Sequence, residues 1–244
     1  MKQPRKIHRI YISSNFKESS IECPPDLSRR ITNVLRMKHQ ENIAVFNHKM
    51  EEYLSKVSIS GKKVTIDLIE KLPSKTNEIK RISLAVSIIN MKLMDLIIQK
   101  SVELGVTEFY PIYTKRSQYK SVDKKCDHWK KIVIHATEQC GRLKLMDVST
   151  PIEFTDFIEN HNCEAKFTLH QKGGRFTPRE LNNIDITFFV GPEGGFENRE
   201  LELFKINKWK MKSINVNILR TETACISALT LLDNYDAFSR YSLQ

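Results

Sequence analysis

The sequence predicts an α/β protein in which a small β-barrel precedes a larger domain built on a parallel sheet. The first third of the 244 residues consists of short stretches rich in Ile, Val, Tyr and Phe, separated by turn residues. From about residue 82, strand-like runs alternate with helical runs, as in parallel sheets that helices cover on both faces. The polar stretch 72–81, which contains a proline, indicates a linker. We therefore expect domains at 1–73 and 74–244.

The individual elements follow from the same patterns. In the first domain, runs of β-branched and aromatic residues predict strands at 6–12, 41–47, 51–60 and 62–72. Apolar residues at helical spacing predict one helix there, at 26–37. In the second domain, strands are expected at 81–89, 108–114, 164–170, 186–190 and 212–219. Helices are expected at 92–106, 125–142, 199–207 and 221–241.

Composition argues against several classes of protein. No window approaches the ~18 uninterrupted apolar residues of a transmembrane helix, and the basic N-terminus lacks the apolar core of a signal peptide. A cytoplasmic location is the resulting expectation. Neither a metal site nor a disulfide framework is expected, because no two of the five cysteines form a CxxC pair. These cysteines are Cys23, Cys126, Cys140, Cys163 and Cys225.

The formal charge of +10 is concentrated near the N-terminus. Residues 1–80 contain 16 Lys and Arg against 9 Asp and Glu, whereas the rest of the chain contains 23 against 20. A basic first third favours a polyanionic partner, most simply nucleic acid. A generally lysine-rich composition is the alternative interpretation.

Two segments stand out as candidate binding loops. FFVGPEGGF, at 188–196, places three of the eight glycines between Gly191 and Gly195, directly after a buried strand. Glycines let a ligand approach the main chain, and loops at the carboxyl ends of parallel strands are the usual ligand sites. The loop is neither a dinucleotide fingerprint nor a phosphate-binding P-loop. In ILRTETA, at 218–224, Thr221 is a plausible helix N-cap, but capping does not explain the arginine before it.

Together, these motifs resemble a known family. IIQKSVELGVTEFYPIYTKRS (97–117), ATEQCGR (136–142), TLH (168–170), FFVGPEGGF and ILRTETA occur in this order. They resemble the 16S rRNA uridine-N3 methyltransferases, the RsmE family of the SPOUT class. HRIYI and ITNVLRMKHQENIAVF resemble the PUA-like RNA-binding domain of the same family. The resemblance covers nearly the whole chain.

The resemblance implies a trefoil-knotted methyltransferase domain that binds S-adenosylmethionine and works as a homodimer on the small ribosomal subunit. It also implies a cofactor pocket made by three loops. The implied cofactor-binding residues are Leu169, His170, Gly191, Pro192, Glu193, Gly194, Gly195, Ile218, Leu219, Arg220, Thr221 and Thr223.

Methylation of uridine N3 requires loss of the ring proton, which assigns candidate roles to three charged residues. Arg220 is expected to stabilise the uracil oxygens as the ring becomes anionic, with a structural ion pair as the alternative. Glu222 and Glu193 are both candidates for accepting the proton, with helix capping or loop bracing as alternatives. The sequence does not choose between them.

Further polar residues are candidates for lining the site or contacting RNA. On helices, Lys100 and Glu103 share a face, as do Gln139 and Arg142, and ordinary solvated pairing is the alternative. In the basic first domain, the candidates for contacts with RNA phosphates are Arg9, Arg29, Arg30, Arg36 and Lys38. A solvated basic face is the alternative there.

The chain departs from the family pattern in three loops. Asn215, Val216 and Asn217 stand where relatives usually carry a Gly-Pro-Arg turn, so an arginine is absent. Gln40 occupies a turn where a glycine is expected, and the segment 46–53 lacks the usual Asp-Gly. Two other functions stay open. One is a knotted methyltransferase with another RNA target, such as a tRNA ribose 2′-oxygen, and the other is a non-catalytic RNA-binding protein.

Overall fold

The structure, a computed structural model, describes residues 7–73, 80–119, 121–215 and 217–241. The described residues form two compact units. The first contains the residues up to 73 together with Thr137–Leu145, and the second contains the remainder. The division therefore falls within a helix that the sequence places wholly in the second domain.

The first unit is built on a five-stranded mixed sheet. Its strands are β1 (His8–Tyr11), β2 (Ser20–Glu22), β3 (Asn42–Phe46), β4 (Glu52–Ser60) and β5 (Lys63–Lys71). Their order is β1-β3-β4-β5-β2, with β1 parallel to β3 and the other neighbours antiparallel. Because β1 and β2 end this order, the sheet is open, and the closed barrel expected from the sequence is not seen.

The helix expected at 26–37 is shorter than the sequence predicts. It consists of α1 (Pro25–Arg29) and a π-helical turn, Arg30–Val34. Arg36 then takes a left-handed backbone conformation, with φ of 53°, which cannot continue a right-handed helix. Gln40 and Met50 also have positive φ, so non-glycine residues adopt the glycine-like geometry in the two loops that depart from the family pattern.

The second unit contains a parallel sheet flanked by helices. Its strands are β6 (Arg81–Ser87), β7 (Glu108–Tyr113), β8 (Asp147–Val148), β9 (Ile152–Glu153), β10 (Ala165–Gly174), β11 (Asp185–Val190) and β12 (Lys210–Lys212). Its helices are α2 (Met91–Glu103), α3 (Cys126–Cys140, which belongs to this unit up to Ala136), α4 (Phe154–Asn160), α5 (Pro178–Leu181), α6 (Asn198–Ile206) and α7 (Thr221–Tyr241). The strand order is β12-β10-β11-β6-β7-β8, with β9 also on β7. All of these pairs are parallel, as the alternating pattern predicts.

One predicted strand is misplaced. The sequence predicts a strand at 212–219, but β12 ends at Lys212 and the described residues that follow form a loop up to α7. Ile218 is 74% exposed, and Ile214 and Leu219 are only half-buried, so these three apolar residues do not enter the core. β12 instead pairs with β10 around Phe167–Leu169.

An aromatic cluster connects the core to the loop after β11. Phe189 on β11 contacts the rings of Phe154, Phe204 and Trp209 at centroid distances of 5.2–5.9 Å. Phe196, the last residue of GPEGGF, is 8% exposed and packs into the same cluster. The glycine loop is therefore anchored to the core at both of its ends.

Two further features concern all of the described residues. None of their helices has the length and apolar character needed to cross a bilayer. No group of three or more His, Cys, Asp or Glu side chains among them is arranged to hold a metal ion.

Candidate active site

A cavity of about 620 Å³ opens at the carboxyl ends of the central strands of the second unit. Three segments form it: the end of β10 from Leu169 to Lys172, the loop after β11, and the loop between β12 and α7. β10 and β11 are neighbouring parallel strands, so their loops emerge at the same edge of the sheet. The volume is typical of pockets that enclose a small molecule.

A hydrogen bond joins two of these segments. The Thr221 hydroxyl donates to the Gly191 carbonyl at 2.9 Å, and Thr221 is only 4% exposed. Thr221 is the first residue of α7, and its hydroxyl is directed across to the glycine loop. The expectation that Thr221 is the N-cap of this helix is therefore wrong, because the residue lies inside the helix and its hydroxyl contacts the other loop.

The glycines of the loop meet separate steric demands. A Cβ on Gly191 would lie 2.9 Å from the Phe196 ring, so a side chain there would displace the aromatic anchor. Gly195 has a φ of 69° and donates its N–H to the Pro192 carbonyl at 2.8 Å, which closes a tight turn. Gly191 and Gly195 are therefore required by the local structure of the loop. In addition, the absence of side chains leaves the main chain exposed to the cavity.

The three candidate catalytic residues differ in position. Glu193 is exposed and lines the cavity, and Gln118 Nε2 donates to its Oε2 at 3.4 Å. Arg220 is exposed and does not itself line the cavity, although Leu219 and Thr221 on either side of it do. Glu222, in the first turn of α7, does not line the cavity, and its buried Oε2 has no hydrogen-bond partner among the described residues.

The remaining predicted cofactor residues are mostly brought together. The cavity is lined by Leu169, His170, Gly191, Pro192, Gly194, Gly195, Ile218, Leu219 and Thr221. His170 accepts the Lys172 N–H at Nδ1, 3.2 Å away, which orients its ring. Thr223 is exposed and lies outside the lining. Asn215 and Asn217 line the cavity, whereas Val216 lies outside the described residues.

Sequence reasoning did not identify several cavity residues. Lys172 and Lys205 are exposed cations in the lining, and Asn198 lies at the start of α6. Lys172 is the second residue after the TLH motif, but Lys205 reaches the cavity only through the packing of α6. No local signal in the sequence identifies Lys205.

A buried ion pair supports the wall that β12 provides. Lys212 Nζ donates to Glu180 Oε2 at 2.6 Å, and the two side chains are 11% and 14% exposed. Burial alone would raise the pKa of Glu180, but hydrogen bonds from Lys212 and Thr177 outweigh it and lower the pKa to about 2. Lys212 therefore lines the cavity as one half of a structural ion pair.

The helical candidates for site lining lie outside the cavity. Lys100 and Glu103 form an ion pair at 2.8 Å on α2. This is the solvated pairing that the sequence offered as the alternative to a role in the site. Gln139 is exposed, and the Arg142 carbonyl accepts a hydrogen bond from Arg9.

In the first unit, Arg9 makes contacts within the protein. Arg9 Nε donates to Glu52 at 2.6 Å, and its Nη atoms donate to the carbonyl oxygens of Thr137, Glu138 and Arg142. Its guanidinium also stacks over the Phe46 ring at 4.5 Å. The donors of Arg9 are therefore directed at protein acceptors, three of which are carbonyls of the segment Thr137–Leu145 in the same unit.

The other basic candidates fall into two groups. Arg30 pairs through both Nη atoms with the buried carboxylate of Glu138, which also accepts the Tyr11 N–H at 3.0 Å. Arg29, Arg36 and Lys38 are exposed. Only this second group presents its cationic groups outward.

The sequence also matches known proteins. The profile of an RNA methyltransferase domain matches residues 75–233. A ribosomal RNA small subunit methyltransferase E from Rickettsia conorii is 37% identical, over 92% of this chain and 94% of its own length. The chain belongs to the ribosomal RNA small subunit methyltransferase E family.

Solved structures of similar proteins have the same fold. A methyltransferase from Legionella pneumophila, solved with bound S-adenosylmethionine, superposes with a TM-score of 0.88 at 29% identity, covering 94% of this chain and 98% of the other. A ribosomal RNA small subunit methyltransferase E from Neisseria gonorrhoeae, also bound to S-adenosylmethionine, gives 0.86 at 28% identity with the same coverage.

The residues that line the cavity are chemically suited to bind S-adenosylmethionine, independently of the similarity to other proteins. Val190, Pro192, Phe196 and Leu219 give it apolar walls, and the glycine loop leaves main-chain groups uncovered. The N–H of Gly194 and that of Leu219 have no acceptor among the described residues, so they can bind a polar ligand. An amphipathic molecule with an adenine ring and a charged amino-acid end matches such a lining.

Proposed function

We propose that this protein transfers a methyl group from S-adenosylmethionine to N3 of a uridine in 16S ribosomal RNA. The observation that carries the proposal is the cavity in which the glycine loop and the Arg220 segment meet through the bond from Thr221 to Gly191. Membership of a family named for methylation of small-subunit ribosomal RNA supports the substrate, and two relatives solved with S-adenosylmethionine support the cofactor.

The chemistry assigned to the protein is positioning and proton removal. S-adenosylmethionine, when bound, supplies an activated methyl group on its sulfonium. The apolar walls exclude water from the reacting groups. Arg220 donates to the uracil oxygens as negative charge develops on the ring, and Glu193 accepts the N3 proton. We favour Glu193 over Glu222 because Glu193 lines the cavity and Glu222 does not.

We extend the proposal to the organisation of the chain. Residues 1–73 form a PUA-like RNA-binding domain, and residues 74–244 form a SPOUT domain with a trefoil knot. The protein acts as a homodimer in the cytoplasm. Ile206 and Ile218, 73% and 74% exposed, are large apolar side chains of the kind that a subunit interface covers. Light scattering coupled to size-exclusion chromatography measures the dimer directly.

Calorimetry with S-adenosylmethionine tests the cofactor. We expect one site per chain, and the variant Gly191→Ala is expected to weaken binding because the added Cβ displaces Phe196. The matched control is Gly174→Ala, since a Cβ there meets no atom within 4 Å. Absence of binding by the wild-type protein would favour a non-catalytic RNA-binding protein.

Primer extension on 16S rRNA tests the target. A methyl group on N3 blocks Watson–Crick pairing, so reverse transcriptase stops one nucleotide before the modified base. We expect one such stop to disappear in cells that lack the gene and to return when the gene is restored. An unchanged pattern of stops in the deleted cells would contradict the assignment of this RNA.

A further inference from the structure

Two exposed arginines hold the two loops that close the cavity. Arg116, in the loop after β7, donates from Nη1 to the carbonyl oxygen of Gly194 in the glycine loop. Arg175, directly after β10, donates from Nη1 to the carbonyl oxygen of Ile214 at 2.8 Å, in the loop after β12. Both acceptors belong to residues that line the cavity. Each loop is thus attached to a neighbouring segment through one guanidinium.

Arg116 is itself anchored on the sheet. Its loop is a turn in which the Thr114 N–H donates to Ser117 Oγ at 2.9 Å, followed by the Gln118 N–H bonded to the Ile88 carbonyl at 3.2 Å. A Cβ on Gly194 would lie 3.2 Å from Arg116 Cδ, so the arginine stem packs closely against this glycine. The position of Arg116 therefore limits where the glycine loop can lie.

Arg175 is fixed in a similar way from the other side. The main chain of Gly174 accepts the Ser213 N–H at 2.9 Å, and the Arg175 carbonyl accepts Lys212 Nζ at 3.1 Å. A Cβ on Gly173 would lie 2.5 Å from the Lys212 backbone, so the two chains are in close contact. Arg175 therefore projects from a rigid strand end onto the loop at Ile214.

Both guanidinium groups retain unused donors. A guanidinium has five N–H donors, and each of these arginines uses Nη1 on a loop carbonyl. Both side chains are exposed, and the hydrogen bonds that they form with described residues go to carbonyl oxygens rather than to carboxylates. Cations in this position, beside the cavity of a protein that modifies RNA, are suited to bind phosphate.

We propose that Arg116 and Arg175 each bridge a phosphate of the RNA to a cavity loop, so that RNA binding tightens the site for the methyl donor. The inference rests on the proposed function, because it takes RNA as the polyanion. The planar fork of arginine contacts a carbonyl and a phosphate together, whereas the ammonium of lysine behaves as a point charge. RNA and cofactor therefore each raise the affinity of the protein for the other.

The experiment distinguishes the effect of positive charge from the effect of an arginine that contacts a loop carbonyl and a phosphate together. The affinity for S-adenosylhomocysteine, which cannot donate a methyl group, is measured by calorimetry with and without 16S rRNA from cells lacking the gene. RNA affinity is measured by filter binding from 50 to 200 mM salt. The variants are Arg116→Lys with Arg175→Lys, and Arg116→Met with Arg175→Met. Arg179→Lys and Arg179→Met are controls, since Arg179 is exposed on α5 and does not line the cavity.

For the wild type, RNA is expected to raise the cofactor affinity about tenfold, within the usual range of coupling between sites. The double variant Arg116→Lys with Arg175→Lys (the lysine pair) is expected to keep the RNA affinity and its salt dependence. RNA no longer raises its affinity for the cofactor. The methionine pair also binds RNA more weakly, and the slope of log affinity against log salt falls by about 2 in magnitude. The Arg179 variants behave as wild type in the cofactor measurement.

Three results would overturn the inference while leaving the proposed function in place. These are a wild type that binds both ligands without coupling, a lysine pair with undiminished coupling, and a methionine pair with an unchanged salt slope. Failure of the wild-type protein to bind cofactor or RNA would overturn the proposed function, and the inference with it.

Discussion

Thr221 and Gly191 are 30 residues apart, and one hydrogen bond connects them across the cavity. The acceptor is a backbone carbonyl at a position where a Cβ would collide with Phe196. The glycine therefore serves two contacts: it admits the aromatic anchor on one side and presents its carbonyl to the α7 hydroxyl on the other. The shape of the cavity therefore depends in part on a residue without a side chain.

Arg220 is expected to act on the transition state rather than on the cofactor. Because its side chain is exposed and does not line the cavity, Arg220→Ala should leave the affinity for S-adenosylmethionine within about threefold of wild type. Loss of an oriented donor to the developing anion should lower kcat by about 10²–10³. Single-turnover methylation of unmodified small subunits measures this rate.

The control for this variant is Arg199→Ala, an exposed arginine on α6 that does not line the cavity. It should retain the wild-type rate. A decrease in kcat of less than about threefold in Arg220→Ala would contradict the catalytic role and support the structural ion pair that the sequence left open.

At the scale of elements, the ion pair between Lys212 and Glu180 joins β12 to α5. The pKa of Glu180 in the folded protein, about 2, lies below its ordinary value of 4.5. The folded state therefore favours the charged carboxylate, and this pair contributes stability above about pH 4.5. That contribution is lost as the pH falls from about 4.5 towards 2.

Urea unfolding of Glu180→Gln tests this pH dependence. At pH 6.5 the variant should be less stable than wild type by about 1–3 kcal/mol, because Lys212 loses a charged partner. At pH 3 the difference should shrink. Glu202→Gln, an exposed glutamate on α6, is the control and should unfold like wild type at both values. An equal difference at both values would show that Glu180 titrates normally.

The pattern of strands and helices was largely predictable because it arises from local periodicity. The all-parallel sheet and α7 follow from alternating apolar runs, and both are confirmed. The prediction of a strand at 212–219 is wrong because tertiary contacts decide where this strand lies. Three apolar residues of this segment, Ile214, Ile218 and Leu219, line the cavity, whereas β12 is defined by its pairing with β10. Local patterns do not contain that pairing.

The candidate site was predictable only where the sequence carries a motif. The loops containing Gly191 and Leu219 were found by their composition and resemblance, and the structure places both in the cavity lining. Arg175 and Lys205 were not found, since an arginine or lysine on a surface carries no signal until its neighbours are known; Arg116 lies within the motif at 97–117, but nothing in that motif assigns it a role. Their relation to the cavity depends on how distant segments pack.

At the scale of the whole molecule, the positive charge of the first 80 residues is only partly available to a partner. Arg9 and Arg30 are engaged with Glu52 and Glu138, so the excess charge overstates the number of possible phosphate contacts. The exposed cations among the candidates are Arg29, Arg36 and Lys38. Binding of RNA by this region should depend chiefly on these three.

Replacing Arg29, Arg36 and Lys38 together by glutamine should weaken RNA binding and lower the salt slope by about 2–3, since each lost phosphate contact removes ~0.7–0.9 from it. Filter binding across a salt series provides the measurement. In the matched control, glutamine replaces three other exposed cations of the same unit, Lys17, Lys49 and Lys62. If both triple variants reduced the slope equally, general surface charge would explain RNA binding better than this set of residues.

The strand order of the second unit also affects how this unit folds during its synthesis. β6 pairs with β11 in the register Arg81 to Asp185, so one side of this central strand stays empty until more than one hundred further residues have been synthesised. At about 5–20 residues per second, that wait lasts roughly 5–20 s on the ribosome. During this time, the unpaired main-chain N–H and C=O groups along this edge of β6 are open to wrong partners. Rapid production at high temperature should therefore yield aggregates seeded by this strand rather than by the basic N-terminal sheet, whose strands follow one another closely along the chain.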